Sequence, residues 1–232
     1  MNPTVPANAP TAPATTAAPT RDYTAPLRVW HWGNTLLVSG QLLTILFLRV
    51  IVDARSAVPE FLESMSRENV TLTVKQAQSF AHIISERIWQ WHIYIGLALA
   101  AFWLLRVGLE LRGPSELRFS ARLREVARRY RLAPAADKGG AGKALLAKIS
   151  YALFYSFLTV MVLTGLGLTW ADDVAFLGQL EHTLEEIHNV TMYLILAFFV
   201  VHVGGVVWSE VTTDRGLISR MVGGEARETP SS

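Results

Sequence analysis

The sequence contains no cysteine. That absence excludes structural disulfides, thiolate metal sites, cysteine-ligated iron–sulfur clusters and covalent CxxCH haem attachment within this chain, so any redox metal has to be held by His, Met or carboxylate. Charge is also scarce, at 17% of 232 residues, where soluble domains carry about one quarter. What fills the chain instead is apolar, 51% of it, gathered into four runs almost free of charge: Val29–Leu48, Ile88–Leu105, Ile149–Ala171 and Ile187–Ser209. Each run can cross a hydrocarbon core of about 30 Å as a helix. Runs of this length satisfy their backbone polarity in lipid only as helices, so a soluble enzyme, a disulfide scaffold and a β-barrel are excluded. The expected fold is all-α, a four-transmembrane-helix bundle forming one domain over residues 27–211, with helices near 27–52, 74–111, 147–171 and 184–211.

Proline is concentrated at the start. Residues 1–26 hold six Pro, seven Ala and six Thr with no periodic apolar face, the composition of a disordered tail. They contain no apolar core of a signal peptide, and the first apolar run is too long to be one, so it is expected to remain as a helix. Residues 212–232 form a second tail. Arg and Lys divide unequally: sixteen lie in the two tails and the 106–148 loop, and five lie on the other side. The positive-inside rule then puts both termini and that loop in the cytoplasm, as expected for a multi-pass protein of a bacterial inner membrane. The 172–186 loop, with five acids and no base, faces out.

Within the 106–148 loop, Phe119, Leu123, Val126, Ala127 and Tyr130 share a helical face while Arg118, Arg122, Arg124, Arg128, Arg129 and Arg131 point elsewhere. This pattern suits an interfacial helix on anionic membrane lipid; a solvated basic loop that only enforces topology is the alternative. Because topology accounts for the basic charge, nucleic-acid binding is not expected. Outside, Thr73 with Gln76 spells a capping box, which would start the second helix before the membrane and leave residues 53–72 as a short element available to a partner.

Six His occur, and four of them fall within or at the edge of the spans: His31, His92, His188 and His202. An ionisable residue inside a span is a functional candidate. His188 and His202 are 14 residues apart, which separates them by about 21 Å along a helix and only about 40° around it. They face one way at two depths. His92 begins the second span at the outer level and His31 begins the first at the inner level, so the pairs are His92 with His188 and His31 with His202. Two imidazoles facing each other at each level describe the axial ligands of a bis-His haem, and two haem b groups are expected. Zinc fits less well, since each level offers two His where about four ligands are usual. His82 and His182 lie in flanking segments and read as ordinary exposed His.

Other residues agree less specifically. Arg28 and Arg106 at the inner level, and Arg49 and Arg87 at the outer, are candidates for haem propionate partners, with snorkelling as the alternative. Glycines at 33, 40, 96, 165, 167, 204 and 205 would admit a macrocycle or a neighbouring helix. Trp30, Trp32, Trp89, Trp91, Trp170 and Trp208 read as an aromatic belt.

The stretches "APLRVWHWGNTLL", "RIWQWHIYIG", "LTGLGL" and "IHNVTMYLILAFFVVH", followed by "SEVTTDRGLISRMVGGE", resemble a known family. They are similar to the four-helix di-haem cytochrome b subunits of bacterial nickel–iron hydrogenases and their relatives in the prokaryotic cytochrome b-561 superfamily. The resemblance covers nearly the whole chain after residue 22. It implies that His31, His92, His188 and His202 are haem ligands, the last two serving different haems.

With both axial positions filled, such irons carry electrons and do not activate dioxygen. The resemblance implies electron transfer between an extracytoplasmic redox protein, such as a hydrogenase-like enzyme, and the quinone pool, this chain being the electron-transfer subunit. A quinone site is expected near Arg28, His31, Trp208, Glu210 and Asp214. The alternatives are a stand-alone quinone-coupled oxidoreductase acting on a small species such as superoxide, and a membrane anchor docking a periplasmic enzyme through residues 53–86.

Overall fold

The computed structural model describes residues 25–52, 54–112, 119–212 and 216–224. Most of the expected N-terminal tail, the last residues of the C-terminal tail, and Arg118 and Asp214 lie outside them. Among the described residues seven helices follow in order: α1 (Ala25–Leu46), extended by a π-turn at Phe47–Ile51, α2 (Ala54–Arg67), α3 (Val74–Arg112), α4 (Phe119–Leu132), α5 (Lys138–Thr169), α6 (Ala175–Thr212) and α7 (Leu217–Gly223). Four are long and apolar enough to cross a bilayer: α1 with its π-turn, α3, α5 and α6. The described residues are helical with no strand, and the chain is a membrane protein.

Helices and apolar runs do not share boundaries. α3 starts at Val74 because Thr73 caps it: the Thr73 amide donates to Gln76 Oε1 (2.9 Å) and the Gln76 amide donates to Thr73 Oγ1 (3.3 Å), the reciprocal pattern of a capping box. α5 starts at Lys138 and α6 at Ala175, each well ahead of its apolar run.

Packing is uneven. α6 lies chiefly along α5, and α1 along α3, with α3 also touching α5. At mid-bundle Val38, Leu99, Ala100, Leu158, Val162 and Ile195 form the buried core, with Leu158 fully enclosed. Outward, residues such as Leu36, Val201 and Trp208 are more than 70% exposed. So much large apolar surface is stable only against lipid.

The end of the bundle where α1 starts and α6 finishes, the tail end, carries two accessory helices. α4 packs against α5: Phe119 meets Tyr151 with ring centroids 5.0 Å apart, and the Tyr130 ring lies against Gly142. The amphipathic pattern read from the sequence is a helix, and Phe119 and Tyr130 of its apolar face rest on α5. Its arginines face outward, and hydrogen bonds from Arg128 and Arg129 hold the Glu125 carboxyl down to about 2. α7 sits between two glycines with positive φ, Gly216 (86°) and Gly224 (72°), where a side chain would be strained. Glu210 accepts hydrogen bonds from the Gly216 and Ile218 amides (2.8 and 3.0 Å), and Trp32 Nε1 donates to the Met221 carbonyl (3.1 Å). This short helix is thereby folded back onto the start of α1.

Candidate functional site

The four span histidines come together as two facing pairs. His92 of α3 and His188 of α6 have ring centroids 6.5 Å apart, and His31 of α1 and His202 of α6 have centroids 6.2 Å apart. Both pairs stretch across the looser α3–α6 and α1–α6 gaps and avoid the close α5–α6 and α1–α3 seams. The 14-residue interval on α6 sets the spacing of the two levels, with the buried core between them.

The ring separations bear on what could sit between. Two imidazoles on opposite sides of one metal, at metal–nitrogen distances of about 2.0 Å, put their ring centroids about 6.3 Å apart. Both observed values lie within 0.2 Å of that figure. Among the described residues no group of three or more His, Cys, Asp or Glu could hold a metal ion. Two-imidazole axial ligation, with a macrocycle supplying the remaining donors, is what these residues fit.

At the far end, His92 and His188 open into a cavity of about 510 Å³ that also receives Gln41, Arg49, Trp89, Gly96, Gly165, Glu181 and Glu185. Its size is within the range of about 300–1,000 Å³ usual for cofactor and ligand sites. Its floor is the apolar core: Val38, Leu99, Leu158, Val162 and Ile195. Gly165 is close to the imidazole, for a Cβ there would stand 3.2 Å from His188 Cε1.

Hydrogen bonds fix the ring orientations at this level. Thr44 Oγ1 lies 2.8 Å from His92 Nδ1 and donates its own proton to the Gln41 carbonyl at 2.7 Å. Thr164 Oγ1 lies 2.9 Å from His188 Nδ1 and donates to the Val160 carbonyl at 2.8 Å. A hydroxyl has one proton. Since each threonine spends it on the backbone, each accepts from Nδ1–H, which leaves Nε2 as the lone-pair nitrogen.

The pair at the tail end is held differently. Phe198 stacks on His202 (5.8 Å between centroids, 8° between planes), and Trp32 meets His31 edge-on at 5.5 Å. Nearby, Trp30 and Tyr155 are stacked at 5.4 Å; the Tyr155 ring lies beside Tyr151 at 4.5 Å, and Trp30 Nε1 has no partner among the described residues. A buried donor without an acceptor is costly; a carboxylate from a bound group would satisfy it.

The candidate arginines separate into distinct roles. Arg49, in the π-turn, lines the cavity and donates to Tyr193 Oη (2.7 Å) and Asn189 Oδ1 (2.9 Å) of α6. Arg87 is exposed, reaches Gln90 at 3.4 Å, and does not line the cavity. Arg106 donates to Tyr151 Oη (2.9 and 3.1 Å) and pairs with Glu110 at 3.2 Å. Arg28 packs its guanidinium against Gly224, and its buried Nη1 lacks a hydrogen-bond partner among the described residues. Of the residues expected at a quinone site, Glu210 is engaged with the amides that lead into α7, and Trp208 is exposed. His82 and His182 lie at the surface beside Glu86 and Glu186. The glycines mostly serve helix contact: Gly33 accepts the Phe102 ring, Gly96 the Gln41 amide and Gly167 the Leu184 side chain, while Gly204 and Gly205 face open space.

Thr44, Thr164, Phe198 and Tyr155 were not singled out by the sequence. Each is unremarkable within an apolar helix until a partner from another helix is set beside it. A family model described as prokaryotic cytochrome b561 matches residues 22–224. No curated protein and no solved structure matches the chain significantly.

Proposed function

The chain belongs to the prokaryotic cytochrome b561 family, membrane b-type cytochromes of electron transport, and from that premise we propose that it carries electrons across the bacterial inner membrane through two haem b groups. The observation that carries this reading is the pair of facing imidazole couples, 6.2 and 6.5 Å between centroids, at two levels of one bundle. His92 and His188 would hold one haem, and His31 and His202 the other. Each haem, when bound, would supply one-electron redox chemistry.

The protein's own residues do the rest. Thr44 and Thr164 engage Nδ1 of His92 and His188 and leave Nε2 as the lone-pair nitrogen of each. Val38, Leu99, Leu158, Val162 and Ile195 keep water out of the space between the levels, so charge crosses there without a hydrated path. Arg49 places a cation at the mouth of the far-end cavity, while Trp30 and Arg106 offer donors at the tail end; both sets suit propionates.

Topology supports the orientation. The tail end, with the arginines of α4, would face the cytoplasm and the acidic α5–α6 loop would face out. Electrons from an extracytoplasmic redox protein, hydrogenase-like in character, would enter at the His92–His188 level and leave at the His31–His202 level to a quinone. Glu181 and Glu185 at the edge of the outer cavity favour a neutral or cationic donor over an anion such as superoxide, by charge repulsion. In the quinone region Arg28, His31 and Trp208 remain candidates, while Glu210 serves α7.

The test is reconstitution of the purified chain in liposomes with a membrane quinol. Reduction of both b-type absorption components, reversed by added quinone, is expected. Haem that quinol cannot reduce would contradict the proposal and favour a structural anchor.

A further inference from the structure

Several threonines in the spans return their hydroxyl proton to a backbone carbonyl three or four residues earlier, among them Thr35, Thr159 and Thr169. Thr44 and Thr164 do so as well, but they alone among the described threonines also meet a histidine ring nitrogen. The two contacts are independent. Thr44 reaches from α1 to His92 on α3, and Thr164 reaches from α5 to His188 on α6. Both therefore act on the same facing pair, and both act on Nδ1. Neither ring nitrogen of His31 or His202 has a hydrogen-bond partner among the described residues; their neighbours are aromatic rings.

We infer that Thr44 and Thr164 are positioning residues that lower the reduction potential of the haem at the His92–His188 level relative to the one at the His31–His202 level. This rests on the two-haem reading above. An Nδ1–H that donates to an acceptor makes the imidazole a more basic ligand, and a more basic axial ligand stabilises ferric over ferrous iron. The hydroxyl oxygen is a strengthened acceptor here, because its own proton is polarised by the backbone carbonyl. Two such bonds at one level, with none among the described residues at the other, separate the potentials in a defined direction. An electron arriving at the His92–His188 level is thereby driven toward the His31–His202 level. Hydrogen bonding to a ligand imidazole is one of the protein's levers on haem potential, and among the described residues it is found at the His92–His188 level.

The test is an optical redox titration of the full-length protein in detergent, wild type against Thr44→Val, Thr164→Val, and the Thr44→Ser and Thr164→Ser variants. The component that disappears in His92→Ala identifies the haem concerned. The expected result is that each Val variant raises the midpoint of that component, leaves the other component in place, and is restored by Ser. The low-spin electron paramagnetic resonance signal of the same haem should shift with it. Two haems whose midpoints do not respond to Val, or respond equally, would overturn the inference while leaving the two-haem reading intact. Should a Val variant lose the haem outright, retention by Ser supports the inference and loss in Ser as well overturns it. A wild-type protein without two b-type haems would overturn both.

Discussion

His92 and His188 each meet a threonine hydroxyl, with Trp89 also edge-on to His92, whereas His31 and His202 have aromatic neighbours and no hydrogen bond to a ring nitrogen among the described residues, although the two pairs have almost the same centroid separation. Equal geometry with unequal surroundings is a means of making two similar sites differ in energy. At the far end, two threonines engage Nδ1 and leave Nε2 as the lone-pair nitrogen, and the cavity is bordered by Arg49, Glu181 and Glu185. At the tail end, Phe198, Trp32 and the Trp30–Tyr155 stack confine the rings by shape, and polarity is supplied by Arg106 and by the Trp30 indole N–H, which has no partner among the described residues. The core around Leu158 keeps the two levels apart.

The largest expected effect breaks one level and spares the other. His188→Ala should remove one haem, and adding His92→Ala should remove nothing further, because both would serve one iron; combining His188→Ala with His202→Ala should remove both. Haem content per chain measures this. Leu158→Ala comes next. It empties a fully enclosed position, with a cost of about 2–5 kcal/mol, and a lowered melting temperature shared by both levels is the expected outcome.

Glycines give a sharper contrast between the levels. A methyl at Gly165 would press on the His188 ring, while one at Gly204 meets nothing within 4 Å. Gly165→Ala should therefore perturb the spectrum of the His92–His188 haem alone, and Gly204→Ala should change neither. Phe198→Leu removes the ring stacked on His202, an interaction worth about 0.5–1.5 kcal/mol. Release of the tail-end haem to an apo-globin acceptor should quicken by up to about tenfold, with the far-end haem unaffected.

The smallest effect concerns the surface of the tail end. The hydrogen bonds from Arg128 and Arg129 keep Glu125 ionised down to about pH 2, below its ordinary value of 4.5. A depressed carboxylate supports the folded helix above its unfolded value and loses that support as pH falls through the folded one. Spectroscopic titration of the Glu125 carboxyl should place its midpoint near pH 2, and substitution by Gln should leave both haem spectra unchanged.

Much of this was legible in the sequence because a histidine within an apolar run stands out energetically. Four such residues, two of them 14 residues apart on one helix and the other two at opposite ends of their spans, pointed to the pairs. Thr44 and Thr164 were not legible: threonine is ordinary in a span, and their partners are 48 and 24 residues away on other helices. Arg49 and Arg87 looked equivalent because depth alone placed them. What separates them is the π-turn at Phe47–Ile51, the segment from which Arg49 reaches α6, and no local pattern announced that turn. The apolar runs measured the bilayer and not the helices, so the early starts of α5 and α6 were also hidden. α7 escaped notice because its place depends on Glu210 and Trp32, which are distant from one another along the chain.

The central claim is two haems on two histidine pairs. Its most direct test is a reduced-minus-oxidised spectrum with haem quantitation on the purified protein, on His92→Ala and on His202→Ala. Two b haems per chain, with each variant keeping a different one, is the predicted result; a wild-type stoichiometry of zero or one, or the same haem lost in both variants, would contradict it.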